Sequence, residues 1–290
     1  MIKRVGVIGM GIMGAPMALS LLRGGFEVTV YNRSREKCGR AAEAGATLAA
    51  TPRELAEQSD AVVLVLANDQ AVTDVVLGEQ GVLSGGRRGS IVVDSSTVHP
   101  RTSKATAEAL AKKGIGHLDA PVTGSRPQAE SGELQFLVGG QAEHVRACTP
   151  LFEALGKRHV HLGPTGSGAC VKLANNAMVA IHMAAVAEAA NIARRYGVAP
   201  EQFLDVILHS GARSAMAEFK GPKMLRGDFH ADFALALMNK DVNLASDLAA
   251  TVGQPAPMLT AARETYGQAV GPFGELDFCG IYRWFEGQGK

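Results

Sequence analysis

VGVIGMGIMGAPMALSLLRGG, residues 5–25, holds a strand, a turn and a helix in 21 positions. VGVI is a short β-type run, and Gly9-Met10-Gly11-Ile12-Met13-Gly14 follows it directly. Alone, a GxGxxG match is weak in a chain with 34 glycines. Between a strand and a helix it carries a mechanism. The first glycine permits the tight turn, the second lets backbone approach a pyrophosphate, and the third lets helix and strand pack closely. The helix N-terminus then offers N–H groups and its dipole to phosphates. Gly9, Met10, Gly11, Ile12, Met13 and Gly14 are therefore candidate dinucleotide-binding residues, against the plainer reading of a strand-to-helix turn.

Outward from this loop, apolar runs alternate with helical patterns. Val5–Ile8, Glu27–Tyr31, Ala61–Leu66, Ile91–Val93, Gly116–Asp119 and Gln135–Val138 read as strands. The first, third and fourth are continuous aliphatic runs, as in parallel strands buried on both faces. Ala15–Arg23, Glu36–Ala44 and Arg101–Lys113 read as helices between them. This alternation predicts an α/β fold, a Rossmann-type doubly wound and mostly parallel sheet. The pattern changes at the glycine-rich GPTGSG, from Gly163. Thr165–Tyr196 reads as one long helix closed by Gly197, and Pro200–His209, Asn239–Val252 and Pro257–Ala269 as shorter ones. The expected domains are a dinucleotide-binding domain over 1–163 and an all-helical substrate and dimerisation domain over 164–290. The alanine- and methionine-rich long helix suggests a buried helix–helix interface, and with it a homodimer or homotetramer.

A chain of 290 residues with 47% hydrophobic and 20% charged residues has an ordinary globular balance. Its net charge of +1 points to no nucleic-acid or membrane-surface partner. Cys38, Cys148, Cys170 and Cys279 are scattered without CxxC spacing, which argues for a reducing compartment and against a disulfide framework. The basic N-terminus lacks the run and cleavage site of a signal peptide. No stretch reaches the roughly 18 uninterrupted apolar residues of a membrane span. The expected location is the cytoplasm.

The second strand ends in Asn32-Arg33-Ser34, roughly 20 residues past the loop, where a ribose-binding acid is usual. No acid stands there. Arg33 can grip a 2′-phosphate as a fork and Ser34 can donate to it, so NADP(H) is expected over NAD(H). Leu66, which ends the third strand, and Ala67 after it join the cofactor set. Thr97, in DSSTVHP, follows a later strand. Thr123 and Gly124, in DAPVTGS, leave another, and the hydroxyl and backbone N–H groups there suit a small carboxylate. Ordinary turns are the alternative for both loops.

GACVKLANN, residues 168–176, contains Lys172, the one formally charged side chain between Arg158 and Glu188. A lysine can pack its stem on apolar surface and reach water with its head. The other reading is chemical. Gly168, Lys172 and Asn176 recur every four residues and share a helix face. Desolvation there lowers a lysine pKa towards the range useful for proton transfer.

The ordered set GMGIMG, DAPVTGS, GSGACVKLANN and MNKDVNLA resembles the β-hydroxyacid dehydrogenases, the family of 3-hydroxyisobutyrate dehydrogenase. VYNRSREKC and DFCGIYRWFE look most like its glyoxylate/succinic semialdehyde reductase branch, whose usual cofactor is NADPH. The resemblance implies that Lys172 is the catalytic lysine and that Asn176 helps hold substrate. It implies that Thr123 and Gly124 bind the substrate carboxylate, that Thr97 and Lys240 lie at the nicotinamide end, and that Phe233 and Asp241 line the pocket. The expected reaction is reduction of a small carboxylate-bearing aldehyde or keto acid to the hydroxy acid. The family usually has serine at the position of Thr123 and often glycine at that of Ser125. The extra methyl narrows the pocket, which leaves the substrate open.

Other chemistries fit less well. There is no HExxH and no metal-ligand cluster, and His159 and His161 alternate along a strand as structural residues do. GPTGSG is not a nucleophile elbow, because no strand leads into a serine with the right glycine spacing. Two alternatives stand beside the reductase: an imine reductase or reductive aminase, and a non-catalytic dinucleotide-sensing protein. Proteins of the first kind commonly lack the lysine that this chain carries, and some of the second kind have lost it.

Overall fold

The structure, a computed structural model, describes residues 2–287. The chain divides after Lys172 into two compact units. The first is built on a nine-stranded sheet. Its strands are β1 (Arg4–Ile8), β2 (Glu27–Tyr31), β3 (Thr47–Leu48), β4 (Ala61–Leu64), β5 (Ile91–Asp94), β6 (Gly116–Asp119), β7 (Val122–Thr123), β8 (Leu134–Gly140) and β9 (Gly156–Gly163). They run in the order β3-β2-β1-β4-β5-β6-β8-β7, with β9 paired to β8. Neighbours from β3 to β6 are parallel, β8 is antiparallel to β6 and β7, and β9 is parallel to β8. The chain winds outward one way from β1 and the other way from β4. This is the doubly wound, mostly parallel sheet expected, and it places the end of β1 at the switch point.

The continuous aliphatic strands are explained by burial on both faces. Val5, Val7, Val63 and Val93 pack with Met17 and Leu21 in one core cluster. Ile8, Val62, Leu64 and Val92 pack with Leu55, Val72 and Leu110 in another. Each such side chain contributes about 1.5–3 kcal/mol through burial. Register aligns Ile8 with Tyr31 on one side and Leu64 on the other, so three loops leave the sheet at the same level. β3 and β7 have two residues each, too short for a periodic signal. In β9 the residues are mostly exposed or half-buried, so its sequence, GKRHVHLG, lacks an apolar run.

The long helix runs from Ser167 to Tyr196, starting in the first unit and continuing through the second. Gly197 follows it with φ 102°, the left-handed conformation expected of its C′ residue. Helices Pro200–Leu208, Ala215–Leu225, Leu235–Thr251, Pro257–Phe273 and Ile281–Gly287 complete the second unit. Among its described residues the only β pairing is an isolated bridge between Ala234 and Asp277. By length and composition alone the long helix could cross a membrane. The core helix of a globular domain passes the same test, and Leu173, Ala180, Met183, Ala187 and Ala190 are buried in the core of this unit.

Two departures from expectation in the second unit have a local cause. The helix expected from Asn239 begins at Leu235, because the Leu235 and Ala236 N–H groups donate to the carbonyls of Leu276 and Gly274, at 2.8 and 3.0 Å. The Ala215–Leu225 helix was hidden by Gly221 and Pro222 inside it. The Ser214 side chain caps it by accepting from the Ala217 N–H at 3.2 Å.

Candidate active site

At the end of β1, Gly9 has φ 101°, and a Cβ there would lie 2.2 Å from the Val65 carbonyl oxygen. A Cβ on Gly14 would lie 1.8 Å from the Gly9 oxygen, so the turn and the helix that follows it exclude a side chain at both positions. Gly11 differs: a Cβ there would meet no protein atom within 4 Å. Neither steric crowding nor a left-handed φ requires this glycine. The position is open to a group docking on the backbone. The helix Gly14–Arg23 has no side-chain cap and no acid in its first turn, which leaves its amino end electropositive. These features fit a dinucleotide pyrophosphate. Met10 is buried in the core, Met13 half-buried, and Ile12 exposed.

Asn32 is engaged within the protein. Its Oδ1 accepts the Met10 N–H and its Nδ2 donates to the Ser34 carbonyl, both at 2.9 Å. The side chain therefore ties the glycine loop to the end of β2. Arg33 is exposed and Ser34 half-buried beside it.

Leu66 lies close to Gly9, 3.2 Å from where a Cβ would stand, and Ala67 is exposed. The Leu66 N–H donates to Ser96 Oγ, and the Ser96 N–H donates to Asp94 Oδ1, both at 2.9 Å. Burial pushes the Asp94 carboxyl up to about 7, against the Ser96 hydrogen bonds that hold it down. Thr97 follows, half-buried.

The Asp119 carboxylate, at the end of β6, meets the start of the long helix. Oδ1 accepts the Gly166 N–H and Oδ2 the Ala169 N–H, both at 2.8 Å. Burial raises its pKa, opposed by these backbone N–H groups. Gly168 permits close approach, and what it approaches is the sheet: a Cβ there would lie 2.2 Å from the Leu137 oxygen. Lys172 lies three residues beyond Ala169 and is half-buried.

Thr123 ends β7, paired with Gln135, and Gly124 follows with φ 114°. The run of exposed N–H groups expected here is shortened by one. Gln128 Oε1 accepts both the N–H and the hydroxyl of Ser125, at 2.9 and 3.0 Å.

In the second unit Asn176, Lys240 and Asp241 come together. Asn176 Nδ2 donates to Asp241 Oδ2 at 2.6 Å, and Lys240 Nζ lies 2.9 Å from Asp241 Oδ1. Asn175 Nδ2 donates to Asn176 Oδ1 at 3.1 Å, so the amide is held from both ends. Phe233 is half-buried and packs edge-on against Phe278, with ring centres 6.0 Å apart. Its N–H donates to Asp277, a fully buried carboxylate that also pairs with Lys220 at 2.8 Å.

The histidines of β9 serve structure. His159 stacks on Phe152 with ring centres 5.2 Å apart, and His161 Nε2 lies 2.9 Å from the Gly140 oxygen. Sequence reasoning assigned no role to Asp94, Asp119 or Asp277. Asp94 and Asp119 are lone acids that end strands, and Asp277 caps the turn Phe278–Gly280, which is the available signal.

Residues 4–163 match the NAD binding domain of 6-phosphogluconate dehydrogenase, and residues 166–285 match the NAD-binding domain of NADP-dependent 3-hydroxyisobutyrate dehydrogenase. The chain belongs to the β-hydroxyacid dehydrogenase family. Glyoxylate/succinic semialdehyde reductase 2 of Arabidopsis thaliana, a chloroplastic protein, is 34% identical, over 90% of this chain and 73% of its own. A probable mitochondrial 3-hydroxyisobutyrate dehydrogenase of Dictyostelium discoideum is 34% identical over 97% and 90%. The solved Mycobacterium tuberculosis 3-hydroxyisobutyrate dehydrogenase with L-serine superposes with a TM-score of 0.91, at 28% identity over 98% and 99%. As a β-hydroxyacid dehydrogenase, the chain is an NAD(P)-dependent oxidoreductase acting on hydroxy acids and their carbonyl forms.

Proposed function

We propose that this enzyme reduces a small carboxylate-bearing aldehyde or keto acid, of the glyoxylate or succinic semialdehyde type, using NADPH in preference to NADH. Lys172 is the proton donor in this reading. The observation that carries it is the placement of Lys172, half-buried one turn beyond the backbone groups that Asp119 holds. When bound, the nicotinamide ring supplies the hydride.

The residues of the chain then divide the remaining work. Gly9 to Gly14 and the helix behind them hold the pyrophosphate, and Arg33 grips the 2′-phosphate. Thr123 and Gly124 hold the substrate carboxylate. Asn176, oriented by Asp241, presents its amide to the substrate, with Phe233 as apolar wall. Lys172 Nζ gives a proton to the carbonyl oxygen as negative charge develops on it. Thr97 and Lys240 attend the nicotinamide end. The reading includes a homodimer or homotetramer, supported by the exposed Met178, Ile192 and Tyr196 on the long helix.

A substrate panel tests it: glyoxylate, succinic semialdehyde and simple ketones, each with NADPH and with NADH. Turnover confined to the acids, and faster with NADPH, is expected. Tight NADPH binding without turnover of either acid would overturn the substrate assignment.

A further inference from the structure

We propose that Asp119 is a positioning residue for Lys172, its carboxylate clamping the helix start that presents the lysine. The proposal rests on Lys172 being the proton donor.

Both carboxylate oxygens are engaged, Oδ1 by the Gly166 N–H and Oδ2 by the Ala169 N–H, each at 2.8 Å, and the side chain is 1% exposed. Lys172 follows Ala169 by three residues, so it rises from the same face one turn further on. An ordinary N-cap comes from the residue just before the helix, and it stabilises the helix without fixing it to anything else. Asp119 lies 47 residues from Gly166 and 50 from Ala169, at the end of β6. It thus sets the helix start relative to the sheet.

Two glycines leave the clamp no slack. A Cβ on Gly139 would stand 2.6 Å from Asp119 Oδ1, and one on Gly168 would stand 2.6 Å from the Asp119 carbonyl oxygen. The helix start is therefore pressed against the backbone of β6 and β8, with the carboxylate wedged between. A displacement of about 1 Å at a reacting group costs on the order of 100-fold in rate. Fixing the helix start against the sheet guards against a displacement of that size.

The test is a four-cell cycle on the full-length enzyme: wild type, Asp119→Asn, Lys172→Ala and the double variant. Asn keeps the shape but turns an NH2 group towards a backbone N–H. Asp119→Asn is expected to lower kcat about 10- to 100-fold, with KM and NADPH affinity within about threefold. In the Lys172→Ala background the same change is expected to alter the residual rate less than about twofold, because the group it positions is gone. An equal loss in both backgrounds would overturn the proposal. Wild-type turnover by Lys172→Ala would instead sink the proton-donor reading, which separates the two failures. Should Asp119→Asn not fold, Asp119→Ser, a shorter acceptor, takes its place in the cycle. Failure of both to fold would overturn the proposal by making Asp119 a determinant of folding.

Discussion

The buried Asn176 amide donates to the buried Asp241 carboxylate at 2.6 Å. Replacing Asp241 with Ala leaves that amide without its acceptor at a site 5% exposed. The expected cost is about 1–3 kcal/mol of stability. A drop of at least about tenfold in kcat/KM should accompany it, as Asn176 loses its orientation. Melting curves and steady-state rates on Asp241→Ala and Asp241→Asn check this. Unchanged rates in both variants would show that the pair serves folding alone.

Gly14 and Gly11 should fail in different ways. Gly14→Ala puts a methyl 1.8 Å from the Gly9 oxygen, so the expected outcome is a lower Tm or loss of folded protein. Gly11→Ala meets nothing, so Tm in the absence of cofactor should stay at the wild-type value. NADPH binding by Gly11→Ala should nonetheless weaken by at least about tenfold, because the methyl stands where the backbone must approach the pyrophosphate. Titration of NADPH fluorescence beside a thermal melt distinguishes the two. Normal NADPH affinity in Gly11→Ala would remove the loop from the cofactor site.

Arg33 is exposed, so truncating it should leave stability within about 0.5 kcal/mol of wild type. Arg33→Ala should weaken NADPH roughly 10- to 100-fold and NADH hardly at all, since only NADPH carries the 2′-phosphate for the guanidinium to grip. Dissociation constants for both dinucleotides provide the measurement. Equal losses would sink the cofactor preference.

Asp94 and His117 push stability in opposite directions with pH. Burial raises the Asp94 carboxyl from 3.8 to about 7, so the folded chain keeps a proton that the unfolded chain loses, and stability falls as pH rises between those values. Burial lowers His117 from 6.5 to about 4, so the unfolded chain holds the extra proton and stability rises with pH over that window. The two slopes largely offset each other. Asp94→Asn should therefore expose the histidine, with Tm climbing more steeply than in wild type from pH 4.5 to 6.5 and staying ahead above pH 7. Parallel curves would show that Asp94 does not titrate in this range.

Much of the fold was legible because its signals are local. β2 and β6 have the boundaries their residue patterns predict, and β1 is longer by Arg4 alone. The long helix starts two residues after its expected position, since Gly166 is held by Asp119 in a left-handed conformation, φ 96°. β9 is marked in the sequence only by the alternation of His159 and His161, because most of it is not buried, and the Ala215–Leu225 helix escaped notice because packing overrides the cost of its glycine and proline.

The sequence by itself determined the doubly wound sheet, the glycine turn after β1 and the long helix that holds one isolated lysine. Those are properties of neighbouring residues, set by side-chain period and backbone freedom. Only the tertiary structure decided which buried polar group answers which. Asn32 meets Met10 across 22 residues, Asp119 meets Ala169 across 50, and Asn176 meets Asp241 across 65. A buried donor must find an acceptor wherever the folded chain brings one near, and no spacing along the sequence records which it will be.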